Sequence, residues 1–129
     1  MREIKFRGKS LSGKWVYGYA AKFAHDSVPV ILEDTEDGIK PQIIIPETVG
    51  QFTGLHDKNG KEIYEGDIII EELRRARKDG ERLVICFDDF EYKGKNANGA
   101  TTSLSLLVEY HTIEVIGNIH DNSELLKTE

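Results

Sequence analysis

The sequence predicts a mainly β protein. It is read as a single compact domain over residues 1–129, a small barrel or a strongly bent antiparallel sheet, with a short helical turn at the C-terminus. Three observations carry this. The stretch Ile43–Ile69 (IIIPETVGQFTGLHDKNGKEIYEGDII) places turn signals at short spacing between strand-forming residues. Trp15, Tyr17 and Tyr19 alternate, as side chains on one face of a strand do. No internal repeat, heptad pattern or linker interrupts the chain.

The elements follow in order. Glu3–Lys9 and Lys14–Ala20 read as two strands joined by Ser12-Gly13. Val28–Leu32 continues the β pattern around Pro29, which suggests an edge or an irregular start. Glu33–Asp37 (EDTED) is an acidic loop leading through Gly38 to the β-branched run Ile43–Ile45. Pro46 ends that run because proline has no amide hydrogen for a ladder. Val49–Phe52 resumes it, and Gly50 inside suggests a bulge or a close backbone approach. Asn59-Gly60 suits a type I′ hairpin turn, which needs positive φ at both central residues. Glu65-Gly66-Asp67 then reverses the chain as a hairpin into Ile68–Ile70, with no phosphate-loop pattern around the glycine.

Glu71–Arg77 contains good helix formers, but β-like segments flank it and Asp79-Gly80 is a turn signal. A long hairpin with a charged tip over Glu71–Glu81 is favoured over a short helix. Lys93–Ser103 is polar and glycine-bearing, hence a loop. Leu104, Leu106, Val108 and Tyr110 alternate as a strand. Ile113, Val115 and Ile119 form the last β segment, interrupted by Gly117. Asn122–Leu126 is one helical turn capped by Asn122 or Ser123.

Composition bounds function. A chain of 129 residues buries roughly two-thirds of its unfolded surface, enough for its own core. Its longest apolar runs fall far short of the ~20 residues that span a bilayer, and Met1-Arg2-Glu3 leads into a strand with no signal-peptide core. One cysteine excludes an internal disulfide framework and fits a reducing cytoplasm. A formal net charge of −6 argues against nucleic acid, although two basic clusters remain, at Arg2, Lys5, Arg7, Lys9 and at Arg74, Arg75, Arg77, Lys78.

MREIKFRGK at the start, Trp15–Gly18 (WVYG), the central PETVGQFTGL and DKNGKEIYEGD, and EVIGNIHDNSELL near the end occur in that order. Together they resemble the YopX-like family of bacteriophage and prophage proteins, from residue 1 to about residue 126. Glu71–Ser103 carries no matching motif. The resemblance implies a phage or prophage origin, a compact β-rich domain and self-association into a homo-oligomer. It carries over no catalytic or ligand-binding residue. The shared glycines, Gly50, Gly54, Gly60 and Gly66, describe turns and bulges rather than a reaction.

His-Asp pairs at His25-Asp26, His56-Asp57 and His120-Asp121 offer metal-ligand or general-base chemistry. Adjacent strand residues point to opposite faces, however, so solvated turn residues are the plainer reading. Cys86, with His111 or His120 as base, would be a nucleophile, but a cysteine in Leu83–Phe87 reads as a small core residue. Glu62, Glu65 and Asp67 cluster at a turn that carboxylates stabilise. Trp15, Tyr17 and Tyr19, with Arg2, Arg7 and Lys9, resemble a stacking platform for single strands. A core or subunit-interface role is favoured.

These readings converge on a cytoplasmic protein of the host bacterial cell that acts by binding or assembly, without a cofactor or a catalytic residue. Its partners would be further copies of itself or an unidentified phage or host protein, with no membrane. The binding candidates are Trp15, Tyr17, Tyr19, His56, Asp57, Glu65 and Asp67. A small metal-assisted or nucleotide-directed hydrolase using His56, Asp57, Glu65 or Asp67 is the alternative, and single-stranded nucleic-acid binding a second one.

Overall fold

The computed structural model describes residues 4–22, 29–72 and 81–126. Strands dominate, in two antiparallel sheets, and the chain divides into two compact units, residues 1–52 and 53–129. The mainly β class holds. Both sheets are open at their edges, so the barrel arm of the expectation does not form.

The first unit holds β1 (Phe6–Lys9), β2 (Trp15–Lys22), β3 (Pro29–Thr35), β4 (Gly38–Ile43) and the start of β5 (Gly50–His56). Its strands run in the order β4-β3-β2-β1-β5. A short 3₁₀ turn, Pro46–Thr48, follows Pro46 as that residue's missing amide requires. Phe6, Val16, Ile31 and Ile44 pack together as the core of this unit. Gly8 is fixed by that packing, because a Cβ there would lie 2.3 Å from Ile44 Cγ2. Gly50 sits in regular register opposite Arg7, where no bulge occurs.

The acidic EDTED segment is not a separate loop; Glu33–Thr35 lie in β3, and Glu36-Asp37 form the tip of the β3–β4 hairpin. The strand after it begins at Gly38, well before Ile43, and Ile44 lies just past its end, bridging Ser10. Pro41 is tolerated within β4 because β4 is an edge. Ile44 N–H donates to Pro29 O at 3.0 Å, and alternation along the ladder turns the position of Pro41 outward, where no ladder bond is lost.

The second unit continues from Thr53 through β6 (Glu62–Tyr64), β7 (Asp67–Glu72), β8 (Arg82–Asp88), β9 (Glu91–Lys95), β10 (Thr101–Ser103), α1 (Leu104–Tyr110) and β11 (Thr112–Asn118). The later part of β5 neighbours β6, and the other sheet runs β10-β9-β8-β7-β11. Ile63, Ile69, Leu83, Ile85, Tyr92, Leu104, Leu107, Ile113 and Val115 form its core. β7 and β8 pair antiparallel from Ile68–Val84 to Ile70–Arg82, as a hairpin requires. The proposed tip itself, with Arg74, Arg75, Arg77, Lys78 and Asp79-Gly80, lies outside the described residues, as do Arg2 and His25-Asp26.

Leu104–Tyr110 is a helix, not a strand. Leu104 and Leu107 are buried and Val108 packs beside them, which is the i, i+3, i+4 stripe of one helical face. Leu106 and Tyr110, which completed the apparent alternation, are exposed. Lys93–Ser103 is largely a hairpin of β9 and β10 rather than a loop. β11 carries a register shift between Val115 and Gly117, matching the expected interruption. The C-terminal turn is a 3₁₀ turn, Ser123–Leu126. Asn122 Oδ1 accepts from Asn118 N–H at 3.2 Å, so this side chain reaches back to β11.

One five-residue turn recurs three times, as Ser10–Lys14, Asp57–Lys61 and Asn96–Ala100. In each, the first N–H donates to the fifth carbonyl (2.9, 2.8 and 2.9 Å) and the glycine N–H to the first carbonyl (2.9, 3.0 and 3.0 Å). Gly13, Gly60 and Gly99 have φ of +85°, +80° and +85°, which an L side chain resists. Asn59 is not left-handed, so the expected type I′ turn gives way to a tight turn followed by a glycine bulge. Glu65-Gly66 is no hairpin either: it hands the chain from β6 in one sheet to β7 in the other.

Candidate functional site

The outward face of the first unit's sheet is the largest assembly of candidate residues. Directly paired residues of antiparallel strands share a face. Arg7 pairs with Tyr17 and Lys9 with Trp15. Tyr19 pairs with Leu32, and Leu32 with Pro41. Ile39 and Ile43 flank Pro41 on the same side of β4 by the strand period. Tyr17, Tyr19, Ile39 and Ile43 are 46%, 62%, 67% and 50% exposed on this face, while Val30 and Arg7 on it are buried and exposed Asp34 stands opposite Ile39.

Of the expected core or subunit-interface role of the aromatic row, the core arm fails for Tyr17 and Tyr19. Val16, one residue out of phase, enters the core, while Tyr17 and Tyr19 stand on the opposite side. Trp15 is half-buried under two cations: the Arg7 guanidinium lies 4.8 Å from its ring centroid and Lys9 Nζ 5.6 Å. Lys5 Nζ lies 5.3 Å from the Phe52 ring. Contacts of this kind contribute about 0.5–1 kcal/mol at partly exposed sites. The basic row of β1 is thus stacked on aromatic rings of its own sheet. Ile39 and Ile43 were missed in the sequence. Their signal was the alternation Ile39-x-Pro41-x-Ile43, masked by the proline.

In the second unit, Asp57 has a structural assignment. Its Oδ1 accepts from Asn59 N–H at 2.8 Å and Lys61 N–H at 2.9 Å, and its Oδ2 accepts from Val115 N–H at 2.9 Å. Lys58 N–H also donates to Ile113 O at 3.0 Å, so the turn covers the side of β11 away from β7. Burial pushes the Asp57 carboxyl up, but the N–H groups of Val115, Lys61 and Asn59 and the charge of Lys61 outweigh it, holding the group below its usual range. His56 is exposed beside buried Asp57, so the dipeptide divides between two environments.

Asp67 is buried and its Oδ2 accepts from Tyr64 N–H at 2.8 Å, fixing the passage between sheets. Glu62 accepts from the Tyr64 hydroxyl at 3.0 Å, and Glu65 is half-buried at the turn. Asp57 and Asp67 thus spend carboxylate oxygens on backbone amides, of their own turns and, for Asp57, of β11 as well. Cys86 is half-buried, on the face of β8 opposite Leu83 and Ile85, rather than in the core. Burial holds its thiol above the ordinary value, with Asp88 adding to this and Lys95 opposing it. His111 Nδ1 lies 2.7 Å from Glu71 Oε1. Among the described residues, no three His, Cys, Asp or Glu side chains gather as a metal site, and no helix is long and apolar enough to cross a membrane.

Fold and surface together define a small two-sheet β protein whose buried carboxylates hold backbone amides and whose first unit exposes large apolar side chains on one sheet face. The chain belongs to the YopX protein family, whose model matches residues 5–127. It is similar to protein EF1440 from Enterococcus faecalis (22% identity, 98% of this chain and 100% of that one, TM-score 0.61). It is also similar to yopX from Bacillus subtilis (18% identity, 100% and 99% of the two chains, TM-score 0.66). At these identities the structural likeness shows the fold alone. No curated protein matches the chain.

Proposed function

We propose that this chain is a phage- or prophage-encoded accessory protein that acts by binding and assembly, in the cytoplasm of a host bacterial cell. Its working surface is the outward face of the first sheet, and its first partner is a further copy of itself. The carrying observation is the exposure of Tyr17, Tyr19, Ile39 and Ile43 on that face, with Tyr19 at 62% and Ile39 at 67%. Aromatic residues are enriched where protein surfaces meet, and several large apolar side chains exposed on one sheet face suit such a place. The reading calls on no cofactor.

Light scattering on the purified full chain tests this. The expected result is a mass above that of the monomer, falling toward it in a Tyr17→Ser, Tyr19→Ser, Ile43→Ser triple variant. A strict monomer at high concentration, or an unchanged assembly in the triple variant, overturns the reading.

A further inference from the structure

The hairpin between β8 and β9 closes through Asp89 and Phe90, with Asp88 paired to Glu91. Asp89 has φ +50° and Phe90 φ +64°, the only non-glycine residues with positive φ among the described residues. This two-residue turn belongs to the type I′ class, whose central positions favour Asn, Asp and Gly. A bulky side chain there is an outlier that the fold must carry as strain. Phe90 is also 96% exposed, so its ring gains nothing from burial in return. Neither the turn nor the core of the second unit asks for phenylalanine at this position.

The surroundings of the ring are packed and acidic. Phe87, 52% exposed, packs edge-on against Tyr92 with centroids 5.0 Å apart. Lys93 Nζ lies 3.1 Å from Asp89 Oδ2, bracing the turn. Asp88, Asp89 and Glu91 are all exposed around the tip. We propose that Phe90 is a binding anchor, presented on a hairpin braced by the Lys93–Asp89 ion pair to another protein whose surface offers an apolar pocket bordered by lysine or arginine. A rigid aromatic entering a desolvated pocket is the usual centre of a protein interface, and the flanking carboxylates select a basic rim. The same carboxylates would face phosphates if the ring met nucleic acid or an anionic lipid surface, which disfavours both. The site lies in the second unit, and the proposal does not rest on the self-association proposed for the first.

Two experiments test it on the full chain. Phe90→Gly is expected to raise Tm by a few degrees, because the strain leaves with the side chain. A lowered Tm would mean that the ring supports the fold, and ends the proposal. Second, p-benzoylphenylalanine in place of Phe90 is photoactivated in the bacterial cells that carry the chain, with the same residue in place of exposed Leu11 as control. The expected outcome is an adduct to one heterologous protein from position 90 alone. That protein, once purified, should bind Phe90→Ser about 30-fold more weakly than wild type and lose affinity for Asp88→Asn, Glu91→Gln. No specific adduct, an adduct to a second copy, lipid or nucleic acid, or a purified protein that binds Phe90→Ser equally well overturns it.

Discussion

At the scale of single residues, carboxylates decide the local structure. Asp57 is the clearest case, since three backbone N–H groups converge on its two oxygens. Asp57→Ala leaves those donors without their acceptor and is expected to cost about 2–3 kcal/mol, read from urea denaturation. The pH dependence has a definite sign. The folded carboxyl titrates below its unfolded value, so its contribution is fully present above about pH 4 and is lost as pH falls through the folded pKa. Acid titration of Asp57→Asn should lack this component; an unchanged acid profile contradicts the assignment. From the sequence, Asp57 was legible as a turn residue beside His56. Its bond to Val115 N–H spans 58 positions and depends on tertiary placement that no local motif encodes.

Among the elements, the recurring five-residue turn joins three different strand pairs with one geometry. Asn96 of NANGA reaches only an exposed side chain, Glu81 Oε1 at 2.8 Å, and Ser10 of SLSGK bridges Ile44 through its backbone, whereas DKNGK reaches β11 through the buried bond of Asp57. Exchanging the sequences of the Ser10–Lys14 and Asn96–Ala100 turns is therefore expected to shift stability by less than about 1 kcal/mol. Placing NANGA at Asp57–Lys61 is expected to cost at least about 1–2 kcal/mol more, because a neutral Asn replaces the charged acceptor of Val115 N–H. Thermal or urea unfolding of the three chimaeras compares them. Strands at the Ser10–Lys14 and Asp57–Lys61 turns were legible because glycine at a left-handed position leaves a mark, whereas the polar residues around Gly99 hid the β9–β10 hairpin as a loop. The Asp89-Phe90 turn leaves none, since neither residue is a glycine. The helix at Leu104–Tyr110 was misread for a related reason: Leu104, Leu106 and Val108 satisfy a period of two while Leu104, Leu107 and Val108 satisfy a helix.

For the molecule as a whole, class was legible and arrangement was not. Density of turns and β-branched residues predicts strands, but their order depends on pairings between distant segments, such as β7 with β11. Nothing local at Glu65-Gly66 announces that the chain leaves one sheet for another there. Charge is a property of the whole that sequence gives directly. With a net charge of −6, and with the described basic row stacked on Trp15 and Phe52, the chain is expected to pass through a DNA column even at low salt. Retention that falls steeply with added salt would revive the single-strand reading.

Pro41 has an effect that reaches beyond its own strand. A foreign peptide docking sideways against β4 would meet a gap in the row of donors halfway along, just where continued hydrogen bonding would let one molecule template the next. The protein can therefore display isoleucines and tyrosines on its broad surface while that border discourages growth into fibres.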